Sequence, residues 1–260
     1  TVRIVLSRKG FDSQYGRIPS PILPDGTLLS LPIPTSESGR RFADLAHQGR
    51  RYSEVIEMLG CDPAVAGGCC HLDPDLRAGE ADGWVPAFGQ TGAAQTHLAN
   101  QGVGVGDLFL FFGRFRQTED GPDGALRYVR GAPAQHVVFG YLQVGEIVQG
   151  ERVRDYPWHP HAENPDPLPN NTLYLAGEQL TFTDGAGYGV LDYRDDRVLT
   201  APGLALSRWR LLDWMDAAPI SYHTRASIRD GYFQSAAKGQ EFVIAESTQA
   251  QDWAQALICG

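Results

Sequence analysis

The middle of the chain carries the apolar run Asp107-Leu108-Phe109-Leu110-Phe111-Phe112, and a second run follows it, His136-Val137-Val138-Phe139-Gly140-Tyr141-Leu142-Gln143-Val144. A Gly-rich segment around residues 120–124 separates the two. Short apolar runs bounded by turn residues are typical of buried strands. We therefore expect these runs to pair as antiparallel strands at the centre of a sheet.

Shorter segments of similar character flank this pair on both sides. Their β-branched and aromatic residues predict strands, and apolar residues at helical spacing predict helices. The expected strands are 2–6, 27–32 (an edge strand), 172–175, 188–191 and 242–245. The expected helices are two between residues 36 and 60, joined near Gly49, one capped by Thr91 that ends before Gly102, and one capped by Ser247. The pattern predicts an α+β fold: a mainly antiparallel central sheet, or a partly open barrel, with flanking short helices.

The organisation of the chain is simple. Its 260 residues suffice for one large domain or two packed ones, and no internal repeat or linker divides them. We expect a single domain spanning residues 1–260. No apolar run is long enough to cross a bilayer, and residues 2–6 are too short for the apolar region of a signal peptide. We therefore expect a cytoplasmic protein without membrane contact, whose four cysteines are reduced thiols.

The balance of charge restricts the partners. The chain has 22 Lys and Arg residues against 31 Asp and Glu residues, a formal net charge of −9. Binding a nucleic-acid duplex requires clustered Lys and Arg residues that neutralise several phosphates. Extended nucleic-acid binding is therefore not expected, whereas a small-molecule or nucleotide substrate, or a single extruded base, remains open.

The segment His71-Leu72-Asp73 has the spacing of a metal site. In an extended backbone, residues two apart point to the same side, so the imidazole and the carboxylate can converge on one divalent ion. A facial site of two histidines and one carboxylate needs a further histidine, for which His136, His159 and His161 are candidates. Iron(II) is the first choice of metal, with zinc or manganese as alternatives. The same segment is also compatible with an ordinary loop or a helix cap.

Trp158-His159-Pro160-His161 is a second candidate for binding an ion or a phosphate. Pro160 holds an extended chain, so that both imidazoles could face one ligand. The alternative is a rigid surface loop stacked on Trp158. A zinc site built from Cys61, Cys69, Cys70 and His71 has suitable ligand types but lacks the paired C-x-x-C spacing.

A polar loop follows the first expected strand, with Ser7, Lys9, Asp12 and Ser13 close together. Lys9 can supply charge to a phosphate or to a polar base edge, and Gly10 allows close approach of the backbone. We expect Lys9 and Asp12 to act as catalytic residues that orient polar groups of the substrate, with Ser7 and Ser13 contacting it. The spacing is not that of a phosphate-binding P-loop, and a solvated turn is the alternative.

Several segments spread over most of the chain resemble one family, the nucleotide modification associated domain 3 family. They are 7–13, 19–23, 29–34, His71-Leu72-Asp73-Pro74-Asp75, Phe88-Gly89-Gln90, 106–113 and Asn170-Asn171-Thr172-Leu173-Tyr174. The family is linked to DNA base-modification systems, so the resemblance implies nucleotide or base chemistry. Within these segments, we assign Gln90 and Asn171 to substrate binding.

A fainter likeness concerns the two central runs. Residues 106–111 followed by 138–144 are similar to the paired strands of PUA-like barrels, which hold a modified base or RNA in a cleft. This likeness implies a binding module that recognises a modified base or nucleotide without catalysis.

Two functions of different class therefore stand. The first is a metal-dependent enzyme, of the oxygenase or hydrolase class, acting on a nucleotide, a nucleobase or a similar small polar substrate. Its ion would be bound by His71, Asp73 and a histidine from His159 or His161. The second is the PUA-like binding module. Metal content separates the two hypotheses, because only the enzyme depends on an ion.

Overall fold

The two central apolar runs form the longest strands of a computed structural model that describes residues 2–37, 39–77 and 81–260. In chain order the described strands are β1 (Ile4–Arg8), β2 (Ser20–Ile22), β3 (Ile33–Thr35), β4 (Ala46–His47), β5 (Arg50–Arg51), β6 (Cys69–His71), β7 (Ala87–Gln90), β8 (Leu108–Asp120), β9 (Leu126–Tyr128), β10 (Gln135–Gln149), β11 (Thr172–Ala176), β12 (Tyr188–Val190), β13 (Arg208–Trp209), β14 (Ile228–Arg229), β15 (Tyr232–Gln234) and β16 (Glu241–Ile244). The α-helices are α1 (Tyr52–Met58), α2 (Pro63–Ala66), α3 (Gly92–Asn100), α4 (Pro160–Glu163) and α5 (Thr248–Cys259). Short 3₁₀ turns lie at Phe42–Asp44, Gly150–Asp155, Asp195–Arg197, Asp213–Asp216 and Arg225–Ser227.

One large mixed sheet organises the molecule. Its main path runs β16-β1-β8-β10-β11-β7, with β12 paired to β10 and with β2 and β9 paired to β8. The β8–β10 pairing is antiparallel, as the sequence predicts, and so are most of the other pairings. The parallel exceptions are β1 and β2, which both pair with β8. Within the described residues the sheet does not close, so the fold is α+β with an open sheet and a few short helices.

The length of β8 explains the position of the first polar loop. Strand β1 pairs with residues 108–112 of β8, and β2 pairs with residues 115–117 of the same strand. The chain between β1 and β2 must therefore leave the sheet and return to it farther along the same edge. Lys9 and Asp12 lie in this excursion, beside the sheet.

Alternating residues of the strands fill a core on each face of the sheet. On one face, Ile4, Leu6 and Phe112 pack with Trp209 and the inner side of α5. On the other face, Val5, Phe109 and Phe111 pack with Phe88 of β7 and Leu98 of α3. Fully burying one such side chain contributes about 1.5–3 kcal/mol, so the two layers together fix the sheet. The Ser247 hydroxyl accepts a hydrogen bond from the Ala250 N–H and caps α5 as predicted.

Two expectations from the sequence are wrong. Instead of two helices between residues 36 and 60, the structure has a 3₁₀ turn, the β4–β5 hairpin and α1. Gln48 and Gly49 both have positive φ angles, 49° and 78°, as the turn of a tight hairpin requires. The segment 27–32 is not an edge strand, since only Leu28 forms an isolated bridge there, whereas β2 lies in the preceding Pro-rich piece. Among the described residues, no helix has the length and apolarity needed to cross a membrane.

Candidate metal centre

The end of strand β6 brings His71 and Asp73 to the same side of the chain. β6 pairs with β3, and His71 is the last residue of that pairing, opposite Ile33. The His71 Nε2 lies 3.6 Å from the Asp73 Oδ2, and the Asp73 side chain is only 5% exposed. The other oxygen, Oδ1, accepts a hydrogen bond of 2.9 Å from the Gly89 N–H of β7. The backbone of a neighbouring strand thus fixes the carboxylate.

Two more imidazoles reach the same carboxylate from the start of α4. His161 Nε2 lies 3.3 Å from Asp73 Oδ2, and His159 Nε2 lies 3.3 Å from Oδ1. Pro160 does not keep this segment extended, since it begins α4, with His159 as the N-cap. Ligand atoms of His71, Asp73 and His161 all lie within 4.8 Å of one another, which is close enough for these three residues to hold one metal ion.

Asn171 fixes the orientation of the His161 ring. Its amide nitrogen donates to the His161 carbonyl at 3.0 Å, which leaves the amide oxygen to accept from the ring Nδ1 at 2.7 Å. In the neutral ring the proton therefore lies on Nδ1, which leaves the Nε2 lone pair available to an ion beside Asp73. A partner that orients the second ring nitrogen in this way is typical of histidines that bind metals. Asn171, predicted to bind substrate, thus supports the His161 ring, and it also lines the cavity beside the cluster.

His159 is held in the opposite tautomer. Its Nδ1 accepts the His161 backbone N–H at 3.2 Å, so the neutral ring carries its proton on Nε2. This Nε2 is fully buried, faces Asp73 Oδ1 and has no well-aligned hydrogen bond within the described chain. In this tautomer Nε2 has no lone pair for a metal. His159, predicted as a metal ligand, therefore lies outside the group of described residues that could hold one ion.

Gly89 leaves the space that the His161 ring occupies. A Cβ atom added to Gly89 would lie 2.4 Å from the His161 Cδ2, far closer than a real contact allows. The Gly89 N–H is at the same time the donor to Asp73. One residue of β7 therefore both fixes the carboxylate and admits the imidazole.

The ionisation of the cluster suits a cation. Burial opposes the charge on Asp73, but the adjacent His159, together with hydrogen bonds from His159, His161 and His71, holds the pKa of Asp73 well below its ordinary value. Burial lowers the pKa of His159 and its proximity to Asp73 offsets this only in part. Burial lowers the pKa of His161, but the charge of Asp73 and the hydrogen bonds to Asp73 and Asn171 together raise it above its ordinary value. A fixed carboxylate among imidazoles is a donor set that binds divalent transition metals.

A cavity of about 540 Å³ opens beside the three residues. Its wall includes His71, Asp73 and His161, together with Lys9 and Gln90. This volume is within the usual range for small-molecule sites. Solvent or a substrate in the cavity would face the cluster directly, and we call it the substrate cavity.

Lys9, which lines the substrate cavity, belongs to a buried ion pair. Lys9 Nζ donates to Glu241 Oε1 at 2.7 Å, and Gln90 Nε2 donates to the same oxygen at 2.8 Å. The Lys9 ammonium also lies 4.6 Å from the centroid of the Phe88 ring. Glu241 is 1% exposed. Burying an ion pair stabilises a fold little or not at all, so a charge held at a cavity wall is a candidate functional group.

The other residues of the predicted polar loop lie farther from the cluster. Asp12 lines the substrate cavity, but its Oδ1 accepts the Gln14 and Tyr15 N–H groups at 2.7 and 2.6 Å, and so stabilises its own turn. Ser13 is exposed and does not line the cavity. Ser7 is fully buried in β1, and its hydroxyl has no hydrogen-bond partner among the described residues.

His136 and the cysteines lie outside the cluster. The His136 Nδ1 accepts the Trp209 Nε1–H at 2.9 Å beside the core that contains Trp209 and Phe112, which excludes this histidine as the third ligand. Among the described residues, the group close enough to hold a metal contains no cysteine. Burial raises the pKa of Cys70 to about 12, which disfavours the thiolate that zinc would require.

The comparison with protein families gives one match. The family model described as nucleotide modification associated domain 3 matches residues 3–245 of the 260. No curated protein and no solved structure was found to match the chain. The chain therefore belongs to the nucleotide modification associated domain 3 family.

Proposed function

We propose that this member of the nucleotide modification associated domain 3 family is a metal-dependent enzyme that acts on a nucleotide, a nucleobase or a similarly small polar substrate. The observation that carries the proposal is the cluster of His71, Asp73 and His161, with ligand atoms within 4.8 Å of one another at the wall of the substrate cavity. The family match supports the substrate class.

Two imidazoles and one carboxylate favour iron(II), with zinc and manganese as alternatives. Three protein ligands leave further coordination positions, and the substrate cavity adjoins them. A divalent ion held there would supply Lewis acidity, or would activate oxygen or water for attack on the substrate. An oxygenase and a hydrolase are both compatible with this donor set.

The protein's own residues would bind and orient the substrate. The Lys9 ammonium, fixed by Glu241, can pair with an anionic or carbonyl oxygen that faces the ion. Asn171 and His159 would hold the His161 ring and the Asp73 carboxylate in place.

We further propose that residues 1–260 act as one domain, because β16, near the end of the chain, pairs with β1 at its start.

Elemental analysis of protein purified without a chelator tests the proposal. We expect close to one equivalent of iron, zinc or manganese in the wild type and less than a tenth of that in His71→Ala. His47→Ala is the matched control, because His47 lies outside the cluster. Wild-type protein that contains no metal and binds neither iron(II) nor zinc on titration would exclude the enzyme mechanism.

The PUA-like binding module is the alternative. It predicts that modified nucleosides bind with the same affinity before and after chelation, and that His71→Ala leaves this affinity unchanged. Calorimetry with a panel of modified nucleosides therefore tests the binding module, and the metal analysis tests the enzyme.

A further inference from the structure

A second cavity of about 360 Å³ lies on the other side of the Asp73 segment. It shares Gly10 and Asp73 with the substrate cavity. Its other walls combine polar side chains with an apolar part that consists of Leu28, Tyr52, Leu76, Phe139 and Val190, among others. Small concave sites with apolar and aromatic walls and a few fixed polar groups are the usual form of a ligand pocket.

Asp75 is the fixed polar group inside this cavity. Asp75 is 7% exposed, and its backbone N–H and C=O both form hydrogen bonds with the backbone of Ala87. The Trp84 Nε1–H donates to Asp75 Oδ2 at 2.8 Å. The second oxygen, Oδ1, has no hydrogen bond within the part of the chain that the structure describes. Asp75 lines the cavity, so this carboxyl oxygen is placed to accept an N–H from a ligand bound there.

Two guanidinium groups line the same cavity near the surface. Arg40 and Arg77 are both exposed residues, and neither forms an ion pair with the residues described. Asp44 also lines the cavity, but its Oδ2 accepts the Arg41 N–H at 2.9 Å. Arginine is the side chain best suited to bind a phosphate through two parallel hydrogen bonds.

We propose that the second cavity binds one nucleotide unit, either a free nucleoside monophosphate or a single extruded residue, whose base carries an exocyclic amino group. The Asp75 carboxyl accepts the amino group, the apolar walls cover the faces of the base, and Arg40 and Arg77 bind the phosphate. Extruded bases are recognised in this manner, by hydrogen bonds to one edge and apolar contact on the faces. The proposal goes beyond the metal centre and does not require the ion.

Calorimetry in the presence of a chelator tests it, with cytidine monophosphate and uridine monophosphate as probes. Cytosine has an amino group where uracil has a carbonyl, so we expect wild type to bind cytidine monophosphate at least about tenfold more tightly. In Asp75→Asn, the Trp84 N–H retains the amide oxygen and the amide nitrogen turns into the cavity. The preference should then reverse towards uridine monophosphate.

The arginines and the two possible sources of the nucleotide need separate comparisons. Arg77→Ala should weaken the binding of cytidine monophosphate about tenfold and leave the affinity for the nucleoside cytidine unchanged. Arg130 is an exposed arginine outside the cavity, so Arg130→Ala should change neither affinity. An oligothymidylate with one central cytosine, compared with pure oligothymidylate, distinguishes an extruded residue from a free nucleotide. Preferential binding of either the oligonucleotide or the free nucleotide supports the proposal.

A variant that blocks the cavity distinguishes loss of binding from loss of folding. Ala46 is exposed and lines the cavity, so Ala46→Trp should close it and abolish binding while the thermal melting curve stays that of wild type. Wild type that binds no nucleotide, or equal binding by wild type, Asp75→Asn and Ala46→Trp, overturns the proposal. His71→Ala should keep nucleotide binding, and Asp75→Asn should keep bound metal, so failure here and failure of the metal centre give different results.

Discussion

Two regions of the molecule bury a histidine almost completely, and they do so with different partners. His136 lies in the core of one face, where its Nδ1 accepts the Trp209 indole N–H and its ring packs against Phe112. Burial, together with the nearby Arg8 and Arg114, lowers the pKa of His136 to about 3. His159 is equally buried, but it faces the carboxylate of Asp73 at 3.3 Å.

The difference shows that burial of an imidazole does not by itself create a site. At His136, a neutral acceptor meets a neutral donor, and aromatic rings fill the remaining space, so nothing is left for a ligand. Around Asp73, a fixed carboxylate meets three imidazoles, and one side of the group faces a cavity. The carboxylate and the open side, rather than the burial, identify the metal centre.

Removing the central group of each region gives the largest expected contrast. Asp73→Ala should abolish metal binding, and it should cost about 3 kcal/mol of the free energy of unfolding because imidazoles and the Gly89 N–H lose their buried partner. His136→Ala leaves the Trp209 N–H unsatisfied and should cost about 1–3 kcal/mol with metal content unchanged. Elemental analysis and urea denaturation measure the two quantities. Loss of metal in His136→Ala, or its retention in Asp73→Ala, would contradict the distinction drawn between the regions.

Gly89→Ala sharpens the comparison with a smaller change, a single methyl group. The added Cβ meets the His161 ring at 2.4 Å, so the ring must move away from Asp73. We expect metal affinity to fall about 10–100-fold, the range found when groups that orient a ligand are altered. Competition with a chromogenic chelator measures this affinity.

Gly67→Ala is the matched control for that substitution. Gly67 has φ −79°, which any residue adopts, and a Cβ there would lie at an ordinary 3.4 Å from the nearest atom. Metal affinity should match wild type in this control. If Gly89→Ala also bound metal like wild type, the His161 ring would not be the third ligand.

The parts of this site that could be predicted from sequence share a local cause. The spacing of His71 and Asp73 places both side chains on one side of an extended segment, and that is how β6 and the following residues present them. Local sequence patterns likewise predict the central β8–β10 pair and the Ser247 cap. The contact between His161 and Asp73 joins distant parts of the chain. From the sequence, His161 was only one of three candidate histidines, together with His136 and His159.

The parts that could not be predicted depend on contacts between distant residues. Glu241 was not identified, because its partner Lys9 is 232 positions away and a single acidic residue before an apolar strand is common. Gly89 was not identified as a packing constraint, because only the fold shows that a ring fills the space beside it. Gly49 was assigned to a joint between helices, since a short segment with apolar residues fits both a helix and a tight hairpin.

The last effect that we expect is the pH dependence of the His136 region. The folded-state pKa of His136, about 3, lies below the ordinary value of 6.5, so the folded state favours the neutral ring. The stabilisation is fully present above pH 6.5 and is lost as the pH falls from 6.5 towards 3, because the unfolded chain binds a proton that the folded chain does not. In His136→Phe this loss is absent.

As the pH falls from 6 to 4, the unfolding free energy of wild type should therefore decrease relative to that of His136→Phe by about 1.4 kcal/mol per pH unit. Chelated protein is used, so that bound metal does not contribute. The Asp73 cluster is unchanged between the two proteins, so its contribution cancels in the difference. Parallel stability curves for the two proteins would mean that His136 takes up its proton in the folded core. His136 would then not be a neutral buried histidine, and it would not differ in this respect from the histidines around Asp73.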